Sequence, residues 1–464
     1  FHNVLCLSEA KGMDIKMNGT EVNPRYSESA LKEKAFLQEL NKKPPLQKFF
    51  GYCKLSGPGF MNAAFTLGAG SFASSVTLGA AYGYDMLWIP LYSFALGLFM
   101  LALATRFVTA SELSVIKAQD KFHGKFFGSF ATGLVACFVA SIVYNFGQYA
   151  LGADAVTALF SVVNINVPKN ISWILLVAVS VPLSLMYGSG DNPKGVKIVE
   201  NAMKILIGIM LVVFGAVLCV TGVDFKAMIK GLLIPTLPSG IDGIVMLIAS
   251  LTATIGVMDW VLFNNGMESR GYSENHETLG HFDAVFGGLV PVTLVLSFVS
   301  IAFAEAFAGQ ERIPTDSTAL CNALVAVIPS IWIQLGFYIG IIALVCSSMI
   351  GLSVTCATSF YQSTNVKKDT KAWYHPFIVL APQIGFLGAF FGKPVMVVVF
   401  IAAMQSLFNW ISGNSWYLLG NDPRYLGKKV IQSRFFNAGI LACISVLNIV
   451  FITFIMSKMG VWPA

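Results

Sequence analysis

The sequence predicts an all-α integral membrane protein. Hydrophobic residues make up 56% of the chain and charged residues only 12%, with a mean hydropathy of +0.70. That balance excludes an ordinary water-soluble globule. Apolar runs recur along the chain at about 20 residues, the length a helix needs to cross a hydrocarbon core of about 30 Å. Two of these runs are interrupted at matching points by glycine-marked breaks. Such paired breaks are the best sequence pointer to a transport site between two halves of a membrane protein.

Residues 1–50 are polar, with Glu33, Lys34, Lys42, Lys43 and Pro44-Pro45, and read as a cytosolic tail with room for a short amphipathic helix. No terminal segment has the short apolar core of a cleavable signal peptide. Eleven spans follow, at about 57–78, 85–104, 126–160, 172–188, 195–222, 241–265, 280–307, 331–361, 376–392, 394–419 and 435–457. The third and eighth exceed bilayer length, which predicts tilt or extension into water. The stretches around 223–240 and 266–280 are the main extramembrane connections.

Lysine and arginine set the orientation. With the N-terminus inside, the inner loops hold fourteen: Arg106, Lys117, Lys121, Lys125, Lys194, Lys197, Arg270, Lys367, Lys368, Lys371, Arg424, Lys428, Lys429 and Arg434. The outer segments hold six: Lys169, Lys226, Lys230, Arg312, Lys393 and Lys458. The bias predicts an N-terminus inside and a C-terminus outside. It also accounts for most of the net charge of +6, so no nucleic-acid surface is read from it. Eight cysteines are scattered without metal-binding spacing, and no disulfide framework is expected. No nucleotide-binding motif appears, which argues against ATP-driven pumping, and no enzyme is expected.

The first break runs through Gly68-Ala69-Gly70-Ser71 and the second through Thr254-Ile255-Gly256-Val257-Met258-Asp259. Unwound backbone at membrane depth is tolerated only where protein buries it or a watery cavity needs it. A carboxylate there is costly, so Asp259 is a functional residue by default. Blander readings stand beside these. Asp259 could face water at a helix end, Gly68 and Gly70 could serve close helix packing, and Ser71 could bond back onto its own helix. Asn145 and Gln148 read first as interhelical hydrogen-bonding groups. Gln405 and Asn409, four apart on one helical face, either line a cavity or tie helices together.

Gly57-Pro58-Gly59-Phe60, followed by Gly79-Ala80-Ala81-Tyr82-Gly83-Tyr84, resembles the first helix of the Nramp divalent-metal transporters. Glu268-Ser269-Arg270 is similar to the QSR after that family's metal helix. Asn421-Asp422-Pro423-Arg424 resembles its inner loop after the tenth helix. The resemblance implies a LeuT-like fold: a tail at 1–50, repeat one at 51–222, repeat two at 223–420, and an inner loop with an eleventh helix at 421–464. The ion would sit between broken helices one and six.

The departures are informative. Where the family has DPGN this chain has Gly68-Ala69-Gly70-Ser71, and where it has MPHN this chain has Gly256-Val257-Met258-Asp259. The acidic pair of the third helix falls on Asn145 and Gln148. These changes resemble the Nramp-related magnesium transporters of bacteria. The chemistry agrees, because thioethers suit softer metals while carboxylate, carbonyl and water suit Mg²⁺. The reading is uncoupled Mg²⁺ uptake, with Mn²⁺ as a second substrate, through a widened site holding a largely hydrated ion. Candidate ion-site residues are Asp259, Ser71, Gly68, Phe65, Ala253, Gly256 and Gln405. The resemblance implies that the carbonyls of Phe65 and Ala253 and the Ser71 side chain orient the ion or its waters. No cofactor is expected beyond the transported ion, and the partners are the ion and the lipid bilayer of the plasma membrane, with no protein partner. Two alternatives stay open: a proton-coupled Mn²⁺/Fe²⁺ importer, and an organic-solute transporter on the same fold.

Overall fold

The computed structural model describes residues 28–188, 193–238, 240–307, 316–327, 329–364, 366–430 and 433–460. Cys6 and Arg312 lie outside them. Every regular element among the described residues is helical, as the composition requires. Nine helices there are long and apolar enough to cross a membrane. The protein is a multi-pass membrane protein.

Two further crossings fall short of span length for local reasons. The first is split into Pro58–Thr66 and Ala69–Tyr82. The ninth consists of six α-helical residues, His375–Leu380, and ten 3₁₀-helical ones, Ala381–Phe390. The tighter winding stretches the chain to about 2.0 Å per residue, so the whole reaches about 29 Å, close to a hydrocarbon thickness. Long 3₁₀ runs are unfavourable by themselves, and the third span, Phe126–Val162, supports this one. Asn145 donates to the Pro382 carbonyl at 2.7 Å, and Tyr149 donates to Gln383 at 2.5 Å. A Cβ at Gly388 would run into the Phe146 carbonyl, so glycine is needed for this approach.

The eighth span, Ile331–Ser363, is central: 89% of its most apolar window is buried. The fourth and fifth, Lys169–Met186 and Lys197–Val220, are peripheral at 22% and 28%. They present apolar side chains such as Ile205, Val212 and Val220 outward, as a lipid-facing surface requires. The tail helix Glu28–Leu40 tucks Leu37 and Leu40 inward. The seven cysteines among the described residues are free.

The start of the first half-helix is fastened by charge. Asp283 is fully buried and accepts from the Ser56 hydroxyl, from Gly59 N–H at 2.7 Å and from Gly57 N–H at 3.3 Å. Lys204 donates to the Ser56 carbonyl at 2.7 Å, and Arg270 to the Leu55 carbonyl at 2.7 Å. Arg270 also pairs with Glu33 of the tail helix at 3.5 Å. Burial raises the Glu33 carboxyl above its usual range, against the pull of Arg270.

Candidate ion site at the two helix breaks

The first break is narrower than the sequence implies. Only Leu67 and Gly68 leave the helix, and Gly70 and Ser71 already belong to the first turn of Ala69–Tyr82. The second break is Ile255 and Gly256, between Gly240–Thr254 and Val257–Ser269. Gly68 and Gly256 are both extended, with φ of −98° and −130°.

A broken helix leaves carbonyls and N–H groups without partners, and membrane depth offers no bulk water. Here hydroxyls and amides meet them. Ser347 donates to the Ala64 carbonyl and Ser348 to the Phe65 carbonyl, each at 2.9 Å. Ser71 donates to the Thr66 carbonyl at 2.5 Å. Three serines thus satisfy three successive carbonyls. On the other side of the break, Ala69 N–H donates to the Gln148 side chain at 3.0 Å. At the second break, Val257 N–H donates to the Asn409 side chain at 3.2 Å. Gln148 and Asn409 therefore serve as helix caps, one per break.

Asp259 is the third residue of Val257–Ser269, where the positive end of the helix dipole favours a carboxylate. It is 4% exposed. The Thr66 hydroxyl donates to it, and that same hydroxyl also lies 2.9 Å from the Asn62 carbonyl. No cation pairs with Asp259 among the described residues. Across the cavity the Tyr144 hydroxyl donates to Gln405.

Six of the seven sequence-derived candidates line one cavity: Asp259, Ser71, Gly68, Phe65, Ala253 and Gln405. Gly256 lies at its edge, where a Cβ would sit 2.6 Å from Asp259 Oδ2 and 2.9 Å from Gln405 Nε2. Thr66, Tyr144, Gln148 and Gly70 complete the lining. Thr66 and Tyr144 were not singled out from the sequence. Tyr144 stands four residues before Gln148, so a shared helical face was the available signal. Asn145 is turned to the ninth span instead, and Met258 lies against Ser141, with sulfur and hydroxyl 3.6 Å apart.

The expected width is not there. The cavity measures about 20 Å³, room for about one water and not for an ion with its shell. The physical reason lies at Gly68. A Cβ there would meet Ser348 Oγ at 2.5 Å and Gln148 Nε2 at 3.0 Å. The volume released by glycine has been taken up by neighbours. In this conformation the cavity between the breaks is narrow.

Among the described residues, nine span-length helices and two shorter crossings, with the first and sixth crossings broken around a buried carboxylate, give a LeuT-like membrane fold. The chain superposes on a point variant of the manganese transporter of Eremococcus coleocola with a TM-score of 0.72 and 16% identity, covering 91% of each chain. It superposes on MhsT in complex with L-phenylalanine at 0.53 and 15% identity, covering 86% of this chain and 98% of that one. At such identity the likeness fixes the fold alone. The chain belongs to the Nramp family: the family profile, described as natural resistance-associated macrophage protein-like, matches residues 59–457. Metal transporter Nramp3.2 of Populus trichocarpa is 24% identical over 284 residues, covering 58% of this chain and 52% of that protein. The chain thus spans about half the length of that relative.

Proposed function

We propose that this protein is a divalent-metal-ion transporter whose cargo is Mg²⁺, with Mn²⁺ as a second substrate, bound between the two breaks. The names of the relatives support the metal: metal transporter for the poplar protein and manganese transporter for the Eremococcus one. One observation carries the choice of ion. The cavity presents a single carboxylate and neutral oxygens from Thr66, Tyr144, Gln148 and Gln405, with neither thioether nor imidazole in its lining. Hard oxygen donors suit Mg²⁺.

In the narrow geometry the ion keeps few waters. Loading it with its shell requires Tyr144 and Gln405 to part. The N-terminus lies inside and the C-terminus outside the plasma membrane, following the charge bias, and residues 51–222 and 223–420 act as the two repeats. Import runs uncoupled from protons. The third-helix positions that carry acids elsewhere in the family are Asn145 and Gln148 here, and amides carry no proton. Potential alone drives uptake, since a divalent ion gains about 4.6 kcal/mol per 100 mV, twice the single-charge value.

The test is purified protein in liposomes, with a trapped Mg²⁺ indicator and lumenal pH read in parallel. Uptake without acidification, lost in Asp259→Ala, is the expected result. Acidification that tracks metal entry would restore the proton-coupled reading.

A further inference from the structure

The inference rests on the reading that a divalent cation crosses between the breaks, and concerns where it goes after Asp259. Asn62 lies four residues before Thr66 in the first half-helix and so on the same face. It is 1% exposed, and neither its Oδ1 nor its Nδ2 has a hydrogen-bond partner among the described residues. An amide buried without a partner is unfavourable and calls for an explanation by water, ion or function.

The eighth span supplies the opposite wall. Phe65 packs on Gly351, where a Cβ would lie 3.0 Å from the Phe65 Cβ. Nearer the Pro58 end, Gly266 abuts Pro58, and its neighbour Asn265 accepts from Gln362 at 3.2 Å. The eighth span therefore descends from Gly351 toward Gln362 as the half-helix descends from Phe65 toward Pro58. Between those two levels stand Asn62 on one helix and Thr355, one turn past Gly351, on the other. The Thr355 residue is 0% exposed and its hydroxyl too is unpartnered among the described residues. Asn265 Nδ2, further along, is likewise unpartnered.

We infer that Asn62 and Thr355 form a second, neutral cation station between the Asp259 site and the Pro58 end of the spans, where the amide and hydroxyl oxygens hold a divalent cation or the waters it regains. Mg²⁺ gives up water reluctantly, and the Asp259 cavity has room for about one. An ion leaving that cavity needs oxygens to replace the ones it loses. Neutral oxygens suit a way-station, because passage requires binding weak enough to leave.

The test uses the full chain in liposomes and detergent, with Mg²⁺ as the probe. Asn62→Leu should lower the maximal uptake rate about tenfold while the half-saturating Mg²⁺ stays within about twofold, and Thr355→Val should do the same more weakly. Asn62→Asp should lower the half-saturating Mg²⁺ about tenfold, slow turnover, and enlarge the Mg²⁺-dependent rise in melting temperature. Asn62→Leu protein that transports at the unsubstituted rate overturns the station and leaves the Mg²⁺ reading intact. So does Asn62→Asp protein that folds only as an unstable species with no Mg²⁺ response, the result expected if position 62 faces no ion path. Unsubstituted protein that carries no divalent cation removes the transport reading and the station together.

Discussion

Two buried aspartates sit at opposite ends of the first half-helix and live by different rules. Asp283 is saturated, with two backbone N–H groups and a hydroxyl donating to it and Arg270 nearby. Asp259 has one hydroxyl partner and no cation among the described residues. A carboxylate whose acceptor sites are filled holds chain segments together. One whose acceptor sites stand open toward a cavity is available to a passing cation. Burial alone does not separate the two, since both are nearly inaccessible. The count of donors does.

The largest effects should come from swapping the chemistry at these two points. Asp259→Asn should abolish Mg²⁺ uptake in liposomes, a drop of at least about a hundredfold, while the melting temperature holds or rises. Asp283→Ala should leave three donors unpartnered and cost about 3 kcal/mol or more of stability, seen as a lower melting temperature in detergent. A stable Asp283→Ala protein, or an unfolded Asp259→Asn protein, would break the comparison.

Next comes Gly68→Ala. Its Cβ would press on Ser348 and Gln148, an overpacking cost of about 1–3 kcal/mol, with slower uptake. Unchanged melting and transport would mean that the neighbours yield and that the narrow cavity is soft. Smaller again is Tyr144→Phe, which takes the donor away from Gln405. It should shift half-saturating Mg²⁺ about tenfold, the worth of one ~1.4 kcal/mol interaction.

The smallest effect lies outside the membrane. The Arg424 side chain beside Asp422 holds that carboxyl down at about 2. The folded value lies below the ordinary carboxylate value of about 3.9, so the stabilisation is present in full above that value and lost as pH falls through about 2. Asp422→Asn should therefore lower the melting temperature slightly at pH 7, with the difference narrowing only below about pH 4. A difference that does not narrow below about pH 4 would detach the effect from the Asp422 charge.

What could be read from the sequence divides along the same line. Spans and breaks follow from runs of apolar residues and from glycine, which are local properties. Asp259 and Gly68 were legible because a charge and a missing side chain stand out within such runs. Thr66 was not, because a threonine in an apolar helix ordinarily bonds back to its own backbone, as this one also does to Asn62. The narrowness of the cavity was illegible for a deeper reason. The atoms that fill the space beside Gly68 belong to Ser348 and Gln148, far away in the chain. The fastening at Asp283 needs Ser56, Gly57 and Gly59 to arrive from a different span, and no local pattern announces it.

The lone charge of Asp259 has an electrical consequence. On the proposed reading, the empty site carries one negative charge and the site loaded with Mg²⁺ carries one positive charge. An inside-negative potential then draws the loaded form inward and drives the empty form back outward. Two charges move per turnover, split evenly between the two halves of the cycle, and neither half runs uphill. A neutral residue at 259 would leave the empty form with no charge for the potential to drive back outward.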